Sequence, residues 1–143
     1  MNNFVTTIKK NILYIAWIQS IVAMFGSLYF SEVMKLPPCI LCWYQRILMY
    51  PLVAIIAVGI LRRDKGIYLY VLPLSILGFL ISLYHNLLYY KILPESIQPC
   101  TMGISCTTRQ IEWFGFITIP LMSLTAFAII TTCMLIYRKV VNK

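Results

Sequence analysis

Residues 38–46 read Pro38-Cys39-Ile40-Leu41-Cys42-Trp43-Tyr44-Gln45-Arg46. A C-x-x-C pair stands here at the mouth of an apolar run, and an arginine follows four residues after the second cysteine. The run continues over 40–61 with Arg46 as its one charge. About 20 apolar residues suffice to cross a bilayer as a helix, so this stretch reads as a membrane span. Outward from it, residues 11–31, 66–90 and 113–137 are uncharged or nearly so and long enough to span as well. The chain has 143 residues, 61% hydrophobic and 11% charged, whereas soluble domains run near roughly half apolar and a quarter charged. Little chain is left for a separate soluble domain. Spans in lipid must pair their own backbone groups, so they are helices or closed barrels. Strict alternation of apolar and polar residues is absent, which leaves helices. The expectation is an all-α membrane protein: a four-transmembrane-helix bundle forming a single integral membrane domain over 1–143, with an outer loop over 91–112.

The formal net charge is +8, which invites a nucleic-acid reading, but its placement opposes one. Lys9, Lys10, Arg62, Arg63, Lys65, Arg138, Lys139 and Lys143 flank the spans on one side, with Asp64 among them. The other side carries Lys35, Lys91, Arg109, Glu32, Glu95 and Glu112. Basic residues concentrate on the cytoplasmic side of membrane proteins. Both termini are therefore expected in the cytoplasm, and both cysteine pairs outside it.

Residues 1–10 resemble the start of a secretory signal, but the apolar run that follows lacks a small-x-small cleavage site; 11–31 reads as a retained first helix. Gln19 and Ser20 lie in its middle and are expected to bond to neighbouring helices. Pro37-Pro38 suits the first turn of a helix, where a missing N–H costs nothing, so Cys39 and Cys42 fall at or just inside the start of the second helix. Pro51, Pro73 and Pro120 lie within spans and should loosen them locally. The segment 91–112 contains Pro94, Pro99 and Gly103, has no helical periodicity, and reads as a loop. Trp113 is expected to anchor the start of the fourth helix.

Five cysteines divide into Cys39 with Cys42, Cys100 with Cys106, and Cys133. Outside the cytoplasm disulfides are permitted. As staples these pairs are poor, because loops so short would contribute only about 2 kcal/mol in the chain-entropy picture. Short, exposed disulfides tend to be labile and catalytic. Zinc is the alternative for four outward cysteines, although the C-x5-C spacing is wider than the usual half-site. A helix start favours thiolate at Cys39 and Cys42. Arg46 shares a helix face with Cys42 and lies about 6 Å deeper at 1.5 Å per residue. Such an arginine either snorkels to the interface or serves a site, stabilising thiolate and negative charge on a bound acceptor. His85, the single histidine, is either a satisfied core residue or a proton-handling partner of the same ligand. Cys133, in the inner half of the fourth span, reads as apolar filler.

Pro38-Cys39-Ile40-Leu41-Cys42 with Arg46 resembles the P-C-x-L-C-x-x-x-R signature of the DsbB family of membrane thiol:quinone oxidoreductases, in its Gram-positive BdbC-like branch. Cys100, Cys106 and the stretch from Trp113-Phe114-Gly115 to Pro120 also fit, so the resemblance covers nearly the whole chain. It implies a quinone, menaquinone or ubiquinone, as cofactor, and a thioredoxin-like DsbA-type (BdbD-like) dithiol oxidase as partner, with no nucleic acid involved. By the same resemblance the partner attacks Cys100, Cys106 then attacks Cys39, and Cys42 becomes the thiolate that faces quinone beside Arg46 and His85. The sequence departs from proteobacterial relatives in separating Cys100 from Cys106 by a short loop, and in placing Gln45 where some relatives carry an acid. A strong dithiol oxidant has a potential near about −120 mV, and its electrons need a more oxidising sink within the bilayer, which a quinone supplies. Two rivals remain: a vitamin K epoxide reductase-like enzyme, whose C-x-x-C lies late in the bundle, and a membrane scaffold with structural disulfides.

Overall fold

The computed structural model describes residues 2–94, 96, 112–113 and 117–143. α1 (Asn2–Leu28) passes into a π-helical turn over Tyr29–Val33, and α2 (Ile40–Arg62), α3 (Tyr68–Tyr89) and α4 (Ile119–Val141) follow. All four helices are long and apolar enough to cross a membrane. They pack as a closed ring in which α1 touches α2 and α4, and α3 touches the same two.

Local chemistry sets the boundaries. Cys39 is extended and caps α2, its sulfur accepting from the Cys42 N–H at 3.4 Å. Arg63 closes that helix in the left-handed region at φ 52°, its N–H returning to the Gly59 and Ile60 carbonyls. The Asp64 carboxylate then accepts from the Gly66 N–H at 2.8 Å, which makes the turn into α3 tight and the two helices antiparallel. The Tyr137 hydroxyl donates to the Asp64 carbonyl at 3.3 Å. The end of α4 and the α2–α3 turn therefore share one end of the bundle, the end that carries most of the basic residues.

Helix four departs from the expected 113–137. Glu112–Trp113 (β1) pairs antiparallel with Ile117–Thr118 (β2), and the helix starts only at Ile119. Thr118 is extended and accepts from the Leu121 N–H at 3.4 Å, and Pro120 occupies the first turn. A cap followed by a proline without an N–H is a strong start signal, and it outranks the apolarity of 113–118. Helix one begins at Asn2 rather than near residue 11, so Lys9 and Lys10 lie on it. α2 and α3 run through Pro51 and Pro73 as single helices.

Ala16, Leu52, Ile56, Val71, Phe127, Ile130 and Met134 form the buried seam between the helices. Small residues let the backbones approach, as is usual where lipid supplies no hydrophobic drive. A Cβ on Gly78 would strike the Phe127 ring, and one on Gly59 the Ile67 side chain. The outward faces stay apolar: Ile18, Val22, Ile47, Leu77 and Leu80 are exposed, as lipid-facing residues of a bundle are. Several polar interior groups find partners over short distances, while among the described residues Trp17 Nε1, Tyr50 Oη, Asn86 Oδ1 and Thr131 Oγ1 are buried without one. Ser20 donates to its own helix at the Trp17 carbonyl, 2.7 Å, rather than to a neighbour as expected, because the hydroxyl finds an acceptor one turn back. Asn86 Nδ2 donates to the Ser82 and Pro120 carbonyls at 2.9 and 2.8 Å, which fastens the start of α4 to α3 beside the C-x-x-C end of α2.

Candidate functional site

The start of α2 presents Cys39 and Cys42 with their sulfurs 2.9 Å apart. Both are free thiols here, one turn of helix joins them, and side-chain rotation alone brings them to disulfide distance, about 2.05 Å. Cys39 lies outside the span itself. The hydrogen bond from Cys42 holds its thiol down, to about 4, against the opposing effect of burial, and His85 adds to the lowering. The lowering favours the thiolate at Cys39 when the pair is reduced, the form that exchanges with disulfides.

Cys42 faces the other way, into a cleft of about 620 Å³ between α1, α2 and α4. That volume is in the range of small-molecule sites. Val22, Ala23, Met49, Met122 and Ala126 contribute apolar walls, and Cys42, Gln45 and Arg46 put polar atoms on one side. Arg46 does not hang free. Its Nη2 donates to the Ser27 carbonyl at 2.9 Å and its Nη1 to Ser31 Oγ at 3.3 Å. The guanidinium also lies 5.7 Å from the Trp43 ring centroid. Anchoring on α1 thus replaces the free snorkelling considered from the sequence. Ser31 lies within the widened π-helical turn, which begins at Tyr29, two residues after Ser27. A guanidinium has five N–H donors, and these two contacts leave others for a ligand.

His85 is brought to the cysteines but not to the cleft. Its ring is 2% exposed, with Nε2 3.8 Å from Cys39 Sγ and Nδ1 3.3 Å from Gln45 Nε2. The structure therefore separates two groups that the sequence had assigned together: Arg46 stands with Cys42 on the cleft, and His85 with Cys39 behind it. Cys100 and Cys106 lie outside the described residues. Cys133 sits far down α4, part of the seam. Ser27, Ser31 and the Gln45–His85 contact escaped the sequence reading. Ser31 offers a hydroxyl near the end of a largely apolar helix, whereas the Ser27 acceptor is a backbone carbonyl, which no residue type marks in the sequence.

Cys39, Cys42 and His85 offer one ligand atom each, all within 4.8 Å of one another. A structural zinc centre takes four donors, and among the described residues this set stops at three. A quinone fits the cleft better: an apolar slot for ring and tail, with a cation carrying unused N–H donors and a sulfur at one wall.

The family model described as "Disulfide bond formation protein DsbB" matches residues 9–137. The chain belongs to the DsbB family. It is similar to disulfide bond formation protein C of Bacillus subtilis, 49% identical over 118 residues, 82% of this chain and 86% of that one. A probable disulfide formation protein C of Halalkalibacterium halodurans is 45% identical over 127 residues, 89% of this chain and 93% of the relative. A probable disulfide formation protein of Metapseudomonas resinovorans is 38% identical over 130 residues, 90% of each. No solved structure matches the chain. Membership of DsbB, with four helices able to span a bilayer, makes this a multi-pass bacterial membrane protein and a disulfide oxidoreductase.

Proposed function

We propose that the protein re-oxidises a thioredoxin-like, DsbA-type (BdbD-like) dithiol oxidase outside the cytoplasm and passes the electrons to a membrane quinone, menaquinone or ubiquinone. The observation that carries this reading is the division of the C-x-x-C pair: Cys39 at the helix cap, Cys42 on an apolar cleft beside an anchored arginine. A dithiol so placed has one sulfur at the helix cap, beneath the outer end of the bundle, and the other on the cleft.

The partner's thiolate attacks the Cys100–Cys106 disulfide, and that pair is reduced as the partner is oxidised. Cys106 thiolate then attacks Cys39, and the Cys39–Cys42 bond breaks with its electron pair on Cys42. Cys100 attacks Cys106 in turn, re-forms the loop disulfide and releases Cys39 as thiolate. The reduced pair Cys39 and Cys42 now holds the two electrons. A bound quinone supplies an acceptor for two electrons and two protons. Arg46 would hold the acceptor beside Cys42 and stabilise negative charge there. The pair returns to the disulfide.

The test is quinone reduction by the purified protein with a reduced dithiol oxidase as donor. Donor-dependent turnover is expected, and in Cys106→Ser the free Cys100 thiolate should attack the disulfide form of the dithiol oxidase and hold it as a mixed disulfide. Trapping through Cys39 or Cys42 instead would reverse the order of transfer. Cytoplasmic termini and an outward redox end belong to the same proposal, supported by the basic residues at the α2–α3 turn and the end of α4. After reduction, an impermeant thiol reagent added to intact cells should label Cys39 or Cys100 and miss Cys133. Labelling that requires permeabilisation would invert the topology.

A further inference from the structure

Behind the C-x-x-C turn, three side chains from two helices meet, with Gln45 standing between the cleft and the other two. Cys39 caps α2, Gln45 lies on α2 and His85 on α3, with exposures of 7%, 6% and 2%. His85 engages both ring nitrogens, Nδ1 with Gln45 Nε2 at 3.3 Å and Nε2 with Cys39 Sγ at 3.8 Å. An amide nitrogen has only hydrogens to offer, so Gln45 donates and Nδ1 accepts. A neutral imidazole carries one proton, which is then on Nε2, the nitrogen facing sulfur.

We propose that Gln45 is a positioning residue, its side-chain amide fixing the His85 tautomer so that Nε2–H donates to Cys39 whenever that sulfur is released as thiolate. The inference rests on the relay proposed above for its chemical use. The arrangement follows the general logic of a nucleophile, an imidazole and a third group that orients the imidazole. Here the third group is an amide, which dictates the tautomer opposite to that set by a carboxylate. When Cys100 attacks Cys106, the new S–S bond forms, the Cys106–Cys39 bond breaks, and the electron pair stays on Cys39. The Nε2 proton remains on the ring as a hydrogen bond to that thiolate. Among the described residues the titratable groups around Cys39 are Cys42, with Arg46 a turn beyond it on α2, and His85 and Tyr84 on α3. Gln45 also lines the cleft, so the same side chain touches the acceptor's space on one side and the imidazole on the other.

The chain has one histidine, so ¹⁵N-histidine labelling gives a one-residue spectrum of the full-length reduced protein in detergent. The expected wild-type spectrum is the neutral tautomer with Nε2 protonated and Nδ1 bare. Gln45→Glu, whose carboxylate only accepts, should place a proton on Nδ1. Gln45→Leu should move the pH midpoint of Cys39 alkylation, followed on its own peptide by mass spectrometry, upward by about one unit, a tenfold change in thiolate affinity for protons. A wild-type ring protonated at Nδ1, unchanged shifts in Gln45→Glu, or an unmoved midpoint in folded Gln45→Leu each overturns the proposal; the wild-type spectrum decides even where the variants fail to fold. None of these measurements uses quinone or donor. A protein with the expected tautomer that reduces no quinone overturns the relay instead.

Discussion

Cys42→Ser should lower donor-dependent quinone reduction to the rate without protein, a loss of at least about a thousandfold, the scale on which removal of a covalent nucleophile acts. In the proposed relay electrons reach the acceptor only as the Cys39–Cys42 pair passes from dithiol to disulfide, and a serine oxygen forms no stable bond to Cys39 sulfur. The protein should still fold and insert. Cys42 contributes one sulfur to the cleft wall, and the cap at the helix start is made by the Cys39 sulfur accepting the residue-42 N–H, which serine keeps. In the variant the Cys39 thiolate can instead attack the Cys100–Cys106 disulfide at Cys106 and release Cys100, so Cys39 joined to Cys106 should accumulate, visible as a shifted band without reductant. Turnover above background in Cys42→Ser, with Cys39 free, would remove the pair from the reaction.

The same residues indicate how far the sequence could be read. Spans are legible because lipid removes the choice: an uncharged run of sufficient length must bond its own backbone, and Arg46 and the basic clusters then mark depth and sides. The start of helix four was misjudged because Trp113 to Thr118 is as apolar as a span, and only the Thr118 cap with Pro120 says otherwise. In the candidate site, Cys39, Cys42 and Arg46 are local to one helix, so their proximity follows from spacing. For His85 the sequence yields depth along its helix, which can be counted, but not rotation about the axis when every face is apolar, so it does not say that the ring lies on the Cys39 side. Hydropathy does not sort faces in a bundle whose outside is lipid. The Gln45–His85 contact and the Ser27–Arg46 bond join different helices, and no single-helix pattern encodes such a partner.

Arg46→Lys should raise the KM for quinone by about tenfold, the weight of one hydrogen bond to a charged donor, and should leave the partner's disulfide exchange intact. Lysine keeps the charge and loses the planar fork. In the wild type that fork is divided: Nη1 donates to Ser31 and Nη2 to the Ser27 carbonyl, and the remaining N–H donors are left for a ligand in the cleft. An ammonium must choose between α1 and the ligand. Arg46→Ala abandons both, so a larger rise in KM should come with a loss of about 1–3 kcal/mol in stability as the tie between α1 and α2 goes. The two losses are separable: partner oxidation in a single turnover without added quinone reads exchange, steady-state quinone reduction reads the cleft, and thermal unfolding reads the tie. His85→Gln is the comparison that the geometry singles out, since its amide can still donate toward Cys39 and it does not line the cleft. Its quinone KM should stay at the wild-type value. Were exchange and quinone reduction to fall together in Arg46→Lys, Arg46 would be a structural strut; were KM to rise equally in His85→Gln, the acceptor would lie on the Cys39 side of the helix and not in the cleft beside Cys42.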